Sequence, residues 1–217
     1  MAPLKAETVR RTMEDSRPQS ASLAVLTDEV LMLRVGEGDE RAYAVLVDRH
    51  LGPCTGLAAR LAGHPDDGEE IIQEAFLRLW RYAPKWQEGG AKFTTWFYRV
   101  ILNLSIDHKR KTGKWAGKTM PLVRQDDDGE ETTLDLADDG EAADDGLQRQ
   151  EQAATVQDAV ANLPERQRTA ITLCYFQELS NREAAEIMEI NIKALESLLS
   201  RGRRGLQQSL GQLKSEV

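Results

Sequence analysis

Residues Ser180–Leu206 read SNREAAEIMEINIKALESLLSRGRRGL, and three local signals in this stretch select a helix-turn-helix. Ser180 and Glu183 stand in the S-x-x-E order of a capping box, where hydroxyl and carboxylate each satisfy a backbone donor left open at a helix start. Ala184, Ala185, Ile187 and Met188 supply the packing face of a first short helix, and Asn191 is suited to cap a second. Helices separated by about three residues have the geometry in which the second helix enters a DNA major groove. At helical spacing Ile192, Leu195, Leu199, Gly202 and Leu206 are expected inward. Lys193, Ser197, Ser200 and Arg204 then form an outward stripe flanked by Glu196, Arg201 and Arg203. Between Asn191 and Leu206 four cations stand against one anion. An ordinary helical hairpin with a basic face would carry the same charges; the caps and the short turn favour DNA binding.

Upstream of this motif, the pattern predicts a helix over 147–162 and then Leu163-Pro164, with proline at a first helical position. Before that helix lies DDDGEETTLDLADDGEAADD, residues 126–145, which holds eleven Asp or Glu and no Lys or Arg. Of the formal net charge of −8, the rest of the chain therefore carries +3. Such a stretch repels itself and has few apolar side chains to bury, Leu134 and Leu136 being the large ones, which is the composition of a flexible tether. The expected organisation is a disordered tail over 1–24, a helical unit over 25–112, an acidic linker over 113–146 and a second helical unit over 147–217. The fold class is all-α.

The first unit has two decisive helices. In DDGEEIIQEAFLRLWRYAPKW, the positions Ile71, Ile72, Ala75, Phe76, Leu79 and Trp80 make a broad buried face, capped by Asp66 or Asp67 and closed by Pro84. Glu70, Gln73, Glu74 and Leu77 line the other side, as plain solvated surface or as a docking face. In FTTWFYRVILNLSIDHKRK, residues Phe93–Lys111, the set Phe93, Trp96, Phe97, Val100, Ile101 and Leu104 packs inward. Thr95, Arg99, Asn103 and Asp107 recur every four residues and lead into His108, Lys109, Arg110 and Lys111. Cations at a helix C-terminus complement the dipole by about 0.3–1 kcal/mol, but phosphate contact is the preferred reading of the row. An earlier helix is expected to run from an Asp39 cap to a break at Gly52-Pro53.

Several classes are disfavoured. No apolar run approaches the roughly 18 residues of a membrane span, and no secretory leader pattern is visible; the expected location is the cytoplasm. Cys54 and Cys174 are far apart without a CxxC, so neither a zinc site nor a disulfide framework is suggested. His50, His64 and His108 are scattered, and no motif argues for catalysis, a metal or a cofactor.

Glu70, Gln73 and Glu74, together with Arg99, Asn103 and Asp107 in the 93–111 helix, resemble conserved region 2 of bacterial sigma factors of the extracytoplasmic function (ECF) group. The segment from Leu163 to Leu206 resembles region 4 of the same group. Two departures stand out: Glu189 occupies a turn position usually held by glycine, and Glu196 and Leu198 stand where basic residues are common. The resemblance implies binding to core RNA polymerase and promoter DNA, and control by an anti-sigma partner. It implies that Glu70, Gln73, Glu74 and Leu77 dock on the polymerase clamp. It assigns the minus-10 element to Trp86, Lys92, Arg99, Asn103, His108, Lys109, Arg110 and Lys111. Trp86, in the Pro84–Lys92 loop, is either a platform for an unstacked base or a ring packed on its own helix. The minus-35 element falls to Lys193, Glu196, Ser197, Ser200, Arg201, Arg203 and Arg204. A decoy for an anti-sigma factor would not need the cations, and a stand-alone helix-turn-helix regulator would not need the Glu70 face.

Overall fold

A computed structural model describes residues 23–87, 89–113 and 146–215. The expected linker, but for its first and last residues, and nearly all of the expected tail lie outside the described residues. Every regular element among the described residues is helical.

Helix α1, Asp28–Gly36, lies across α2, Glu40–Ala62. Asp28 ties them: its carboxylate accepts from an Arg49 guanidinium N–H and lies 2.8 Å from His50 Nε2. Burial raises the Asp28 pKa, but the hydrogen bonds and charges of His50 and Arg49 outweigh it and hold the carboxyl below its usual value. Arg49 also donates to Ala24 O, and Leu23 is buried, so the first unit begins slightly before the expected boundary at 25. The N-cap of α2 is Asp39, as expected; its side chain accepts from Arg41 N. The expected break at Pro53 does not occur. Proline removes one helical N–H, yet Cys54, Leu57, Ala58 and Leu61 beyond it are buried, and that packing carries α2 on to Ala62.

Helix α3, Pro65–Tyr82, starts with proline at its first position and with His64, not an aspartate, at the N-cap. Gly68 lets it cross α2 closely, since a Cβ there would come within 2.7 Å of the Ala59 backbone. Ile71, Ile72, Ala75, Phe76 and Leu79 are buried as expected, but Trp80 is 38% exposed and packs edge-on against Tyr43. A 3₁₀ turn, Ala83–Lys85, leads through a loop to α4, Phe93–Lys111. The first amide of α4 donates to Glu29 Oε1 of α1 at 3.0 Å, so α1 caps α4 across 64 residues. Phe93 and Phe97 are fully buried, with Phe97 5.1 Å from Phe76. Each such burial contributes about 1.5–3 kcal/mol.

The second unit comprises α5, Gly146–Ala161; α6, Glu165–Ile171; a π-helical turn, Thr172–Phe176; α7, Asn181–Ile187; and α8, Ile192–Ser215. Pro164 is the N-cap of α6, one residue before the expected position. Arg168 donates to Ala161 O at 2.8 Å, closing the end of α5. Gly202 brings α8 against α6, where a Cβ would sit 2.9 Å from Ile171. The two units touch: α4 packs on α7, and α2 packs on α5, α6 and the π turn.

Candidate nucleic-acid interface

The helix-turn-helix forms as its caps dictate. Ser180 Oγ accepts from Glu183 N at 3.3 Å, and Glu183 Oε2 accepts from Ser180 N at 3.2 Å. Asn191 Oδ1 accepts from Ala194 N at 2.7 Å and starts α8. Between α7 and α8, Glu189 has a φ of 54°. A side chain in this left-handed conformation costs about 1–2 kcal/mol, which a glycine would avoid.

On α8, Lys193, Glu196, Arg201 and Arg204 are exposed, while Ser197, Ser200 and Arg203 are half-buried. Arg201 is held against its own helix, donating from Nε to Ser197 O at 3.2 Å and from Nη2 to Ser197 Oγ at 3.1 Å. Ser197 thus orients the guanidinium. Leu195 and Leu199 are buried, and so is Leu198, so that departure from the family pattern is a core residue. Ile192, expected inside, is 45% exposed. Ile190, in the turn, packs against the core instead, and α7 has already ended at Ile187. Ile192 is thereby added to the exposed face, a residue that spacing alone misassigns.

On α4, Asn103, Arg110 and Lys111 are exposed, and Arg110 lies 3.9 Å from Asp107. The rest of the basic run is not on that surface. His108 turns inward, with Nε2 3.2 Å from Asp67 and Nδ1 3.9 Å from Glu70. Lys109 is buried, 3.5 Å from Glu165 of α6; its pKa is lowered by burial first and then by the Arg168 charge, against the pull of Glu165. Consecutive residues on a helix point about 100° apart, so four adjacent basic residues cannot share one face. Thr95, expected in the polar row, is also buried. Trp86 is half-buried among Tyr82, Phe93 and Trp96. Its place is a packed ring, not an open platform. The exposed aromatic of that cluster is Tyr82, stacked on Trp96 at 4.9 Å, which the sequence pattern does not single out.

Along α3, Glu70, Gln73 and Leu77 are exposed and Glu74 is half-buried, paired with Arg78 at 3.1 Å. With Leu77 49% and Trp80 38% exposed, this face carries apolar as well as acidic groups.

Two further cations of the α4 region are engaged by the second unit. Lys92 Nζ lies 2.9 Å from Glu183 Oε1. Arg99 donates from Nη2 to Glu186 O at 2.7 Å, and its Nη1 lies 3.5 Å from Glu189 Oε1. The hydrogen bond from Lys92, helped by those from Ser180, holds the Glu183 carboxyl down at about 2. A repeat of glutamate at 183, 186 and 189 is legible in the sequence as an acidic row; what it faces is not.

Comparison with known proteins fits this architecture. Sigma-70 region 2 matches residues 46–114 and Sigma-70 region 4 matches residues 153–206. The ECF RNA polymerase sigma factor SigW of Bacillus subtilis is 32% identical over 180 residues, covering 83% of this chain and 95% of that protein. This chain belongs to the ECF sigma factor family. It is an alternative sigma factor, acting in transcription initiation. Among solved structures, CnrH in complex with the cytosolic domain of CnrY shares the fold with a TM-score of 0.60 at 24% identity, over 85% of this chain and 97% of that one. The sigma factor RpoE in complex with the anti-sigma factor NepR from Bartonella quintana gives 0.54 at 22% identity, over 76% and 94%. Among the described residues no helix of this sigma factor is long and apolar enough to cross a membrane.

Proposed function

We propose that this sigma factor recruits core RNA polymerase through α3 and reads two promoter elements with α4 and α8. The observation that carries the reading is that three helices each present an exposed polar surface: the Glu70–Leu77 face of α3, the exposed end of α4, and the capped recognition helix α8. Region 2 would span 25–112 and region 4 would span 147–217, joined by the acidic linker. Leu77, with Glu70, Gln73 and Glu74 around it, offers an apolar anchor with an acidic rim to the polymerase clamp. Lys92, Arg99, Asn103, Arg110 and Lys111 would meet the minus-10 strand, with Tyr82 rather than Trp86 as the accessible ring for stacking. His108, Lys109 and Thr95, on the inward side of α4, would help seat the helix rather than touch DNA.

On the minus-35 duplex, the N-terminal half of α8 would face base edges. Glu196 can accept from a cytosine amino group, and Ile192 can contact a thymine methyl. Arg201, preset by Ser197, and Arg204 would hold phosphates or guanine, with Lys193, Ser200 and Arg203 beside them. No catalytic role is assigned to any residue, and the place of action is the cytoplasm, where polymerase and promoter are. The likeness to a sigma factor held by an anti-sigma factor supports control of this chain by such a partner.

The test is association with core polymerase by gel filtration. Wild type co-elutes, and Gln73→Ala with Leu77→Ala weakens the complex while leaving the helical circular dichroism unchanged. Co-elution undiminished by that pair would remove α3 from the interface.

A further inference from the structure

Lys92 and Arg99, the cations at the start and middle of α4, are both taken by the helix-turn-helix of the same chain. Glu183 reaches Lys92 at 2.9 Å, and Glu189 reaches Arg99 at 3.5 Å while the Glu186 carbonyl accepts from Arg99 at 2.7 Å. Glu183 and Glu186 stand three apart and so share one side of α7, and Glu189 in the turn after it reaches the same stretch of α4.

Glu189 sits in a backbone conformation that favours glycine, with a φ of 54°. A helix-turn-helix turn needs no carboxylate there, whereas a contact to Arg99 does. Lower on the seam, Glu165 faces Lys109 at 3.5 Å, Gln177 donates to Pro53 O at 3.4 Å, and the Arg60 guanidinium lies 4.0 Å over the Phe176 ring. The recognition face of α8 remains uncovered in this arrangement, with Lys193, Arg201 and Arg204 exposed.

We propose that α7 and its turn are a built-in anionic competitor for the promoter strand: the Glu183 and Glu189 carboxylates, with the Glu186 carbonyl, occupy Lys92 and Arg99 until DNA displaces them. The proposal rests on the reading that these two cations meet the minus-10 strand. Closure then lowers the apparent affinity of α4 for DNA by the fraction of molecules that are open. It leaves the minus-35 face available. The ion pairs are partly solvated, with Lys92 70% and Glu189 71% exposed at the side chain, so the closure is reversible and sensitive to salt.

The test uses the full chain with Glu183→Gln and Glu189→Gln. Glutamine at 183 can still accept from the Ser180 amide, so the capping box survives while the charge is lost. Binding of a fluorescent oligodeoxythymidylate strand of about ten nucleotides is followed by anisotropy at low salt. The double variant binds about fivefold tighter than wild type if two exposed pairs are competing, and its radius of gyration in solution scattering increases. Adding Lys92→Ala and Arg99→Ala abolishes the gain. Equal affinity of wild type and the Gln variant, with Lys92→Ala and Arg99→Ala still weakening wild type, overturns the competition and leaves the DNA contact standing. If the alanine pair has no effect in either background, the DNA contact itself falls and the competition with it.

Discussion

Lys193, Arg201 and Arg204 on α8 stand open to solvent, whereas Lys92, Arg99 and Lys109 of the α4 region each meet an oxygen from the other unit. Both helices end or begin in cations and both read, as sequences, like nucleic-acid contacts. Their availability differs because α8 packs through Leu195, Leu198 and Leu199 on one side only, while α4 is crossed by α7 and approached by α6. A basic residue is therefore openly available only where no acidic neighbour in space holds it, and that neighbour can lie 91 positions away, as Glu183 does from Lys92.

The strongest challenge to the comparison is to unfold one side of it. Phe97→Ala removes a fully buried ring and is expected to cost about 3–5 kcal/mol. Thermal unfolding followed by circular dichroism should show the first unit melting earlier while the second keeps its own transition, because exposed ion pairs contribute only about 0–1 kcal/mol each. One merged transition moving to lower temperature would mean that the seam couples the units tightly.

Next in size is the uncovered face. Arg201→Ala with Arg204→Ala should weaken holoenzyme binding to a minus-35 duplex by about 1–3 kcal/mol and flatten its salt dependence by about one unit for each phosphate these arginines neutralise. An unchanged salt slope would place them away from phosphate.

A smaller effect is expected at the turn. Glu189→Gly relieves a left-handed side chain worth about 1–2 kcal/mol and gives up an exposed pair to Arg99. The second unit should melt slightly higher while the seam loosens in scattering. A lower melting temperature would show that the ion pair to Arg99 outweighs the strain.

Acid gives the smallest signal. Glu183 is lowered from 4.5 to about 2, chiefly by the Lys92 hydrogen bond. Because the folded-state value is depressed, its contribution is present above pH 4.5 and is lost as pH falls toward 2. Opening of the seam across that window, absent in Glu183→Gln, is the expected scattering result.

Local signals carried most of the fold. The capping box, the Asn191 cap and, Trp80 apart, the inward faces of α3 and α4 each depend on residues within a few positions of one another, and they form as the sequence predicts. Errors arise where a distant element decides. Pro53 sits mid-helix because the residues beyond it are buried by packing that no local rule contains. His108 and Lys109 belong to a run of four basic residues, but helical rotation turns the first toward Asp67 and the second toward Glu165. Counting back from Leu195 places Ile192 inward, and the turn residue Ile190 fills that position instead. Trp86 can be read as platform or as packing; Tyr82, Phe93 and Trp96 around it decide for packing. The seam between the units rests on pairs of unlike charge far apart in sequence, and nothing in the period of either helix announces it.

The central claim is that this chain turns core RNA polymerase toward particular promoters. Transcription by purified core polymerase on fragmented genomic DNA, with start sites mapped with and without the chain, tests it most directly. The account predicts start sites that appear only with the chain and share two upstream elements at fixed spacing, and that fade with Arg201→Ala and Arg204→Ala. Identical start sites with and without a folded chain would contradict it.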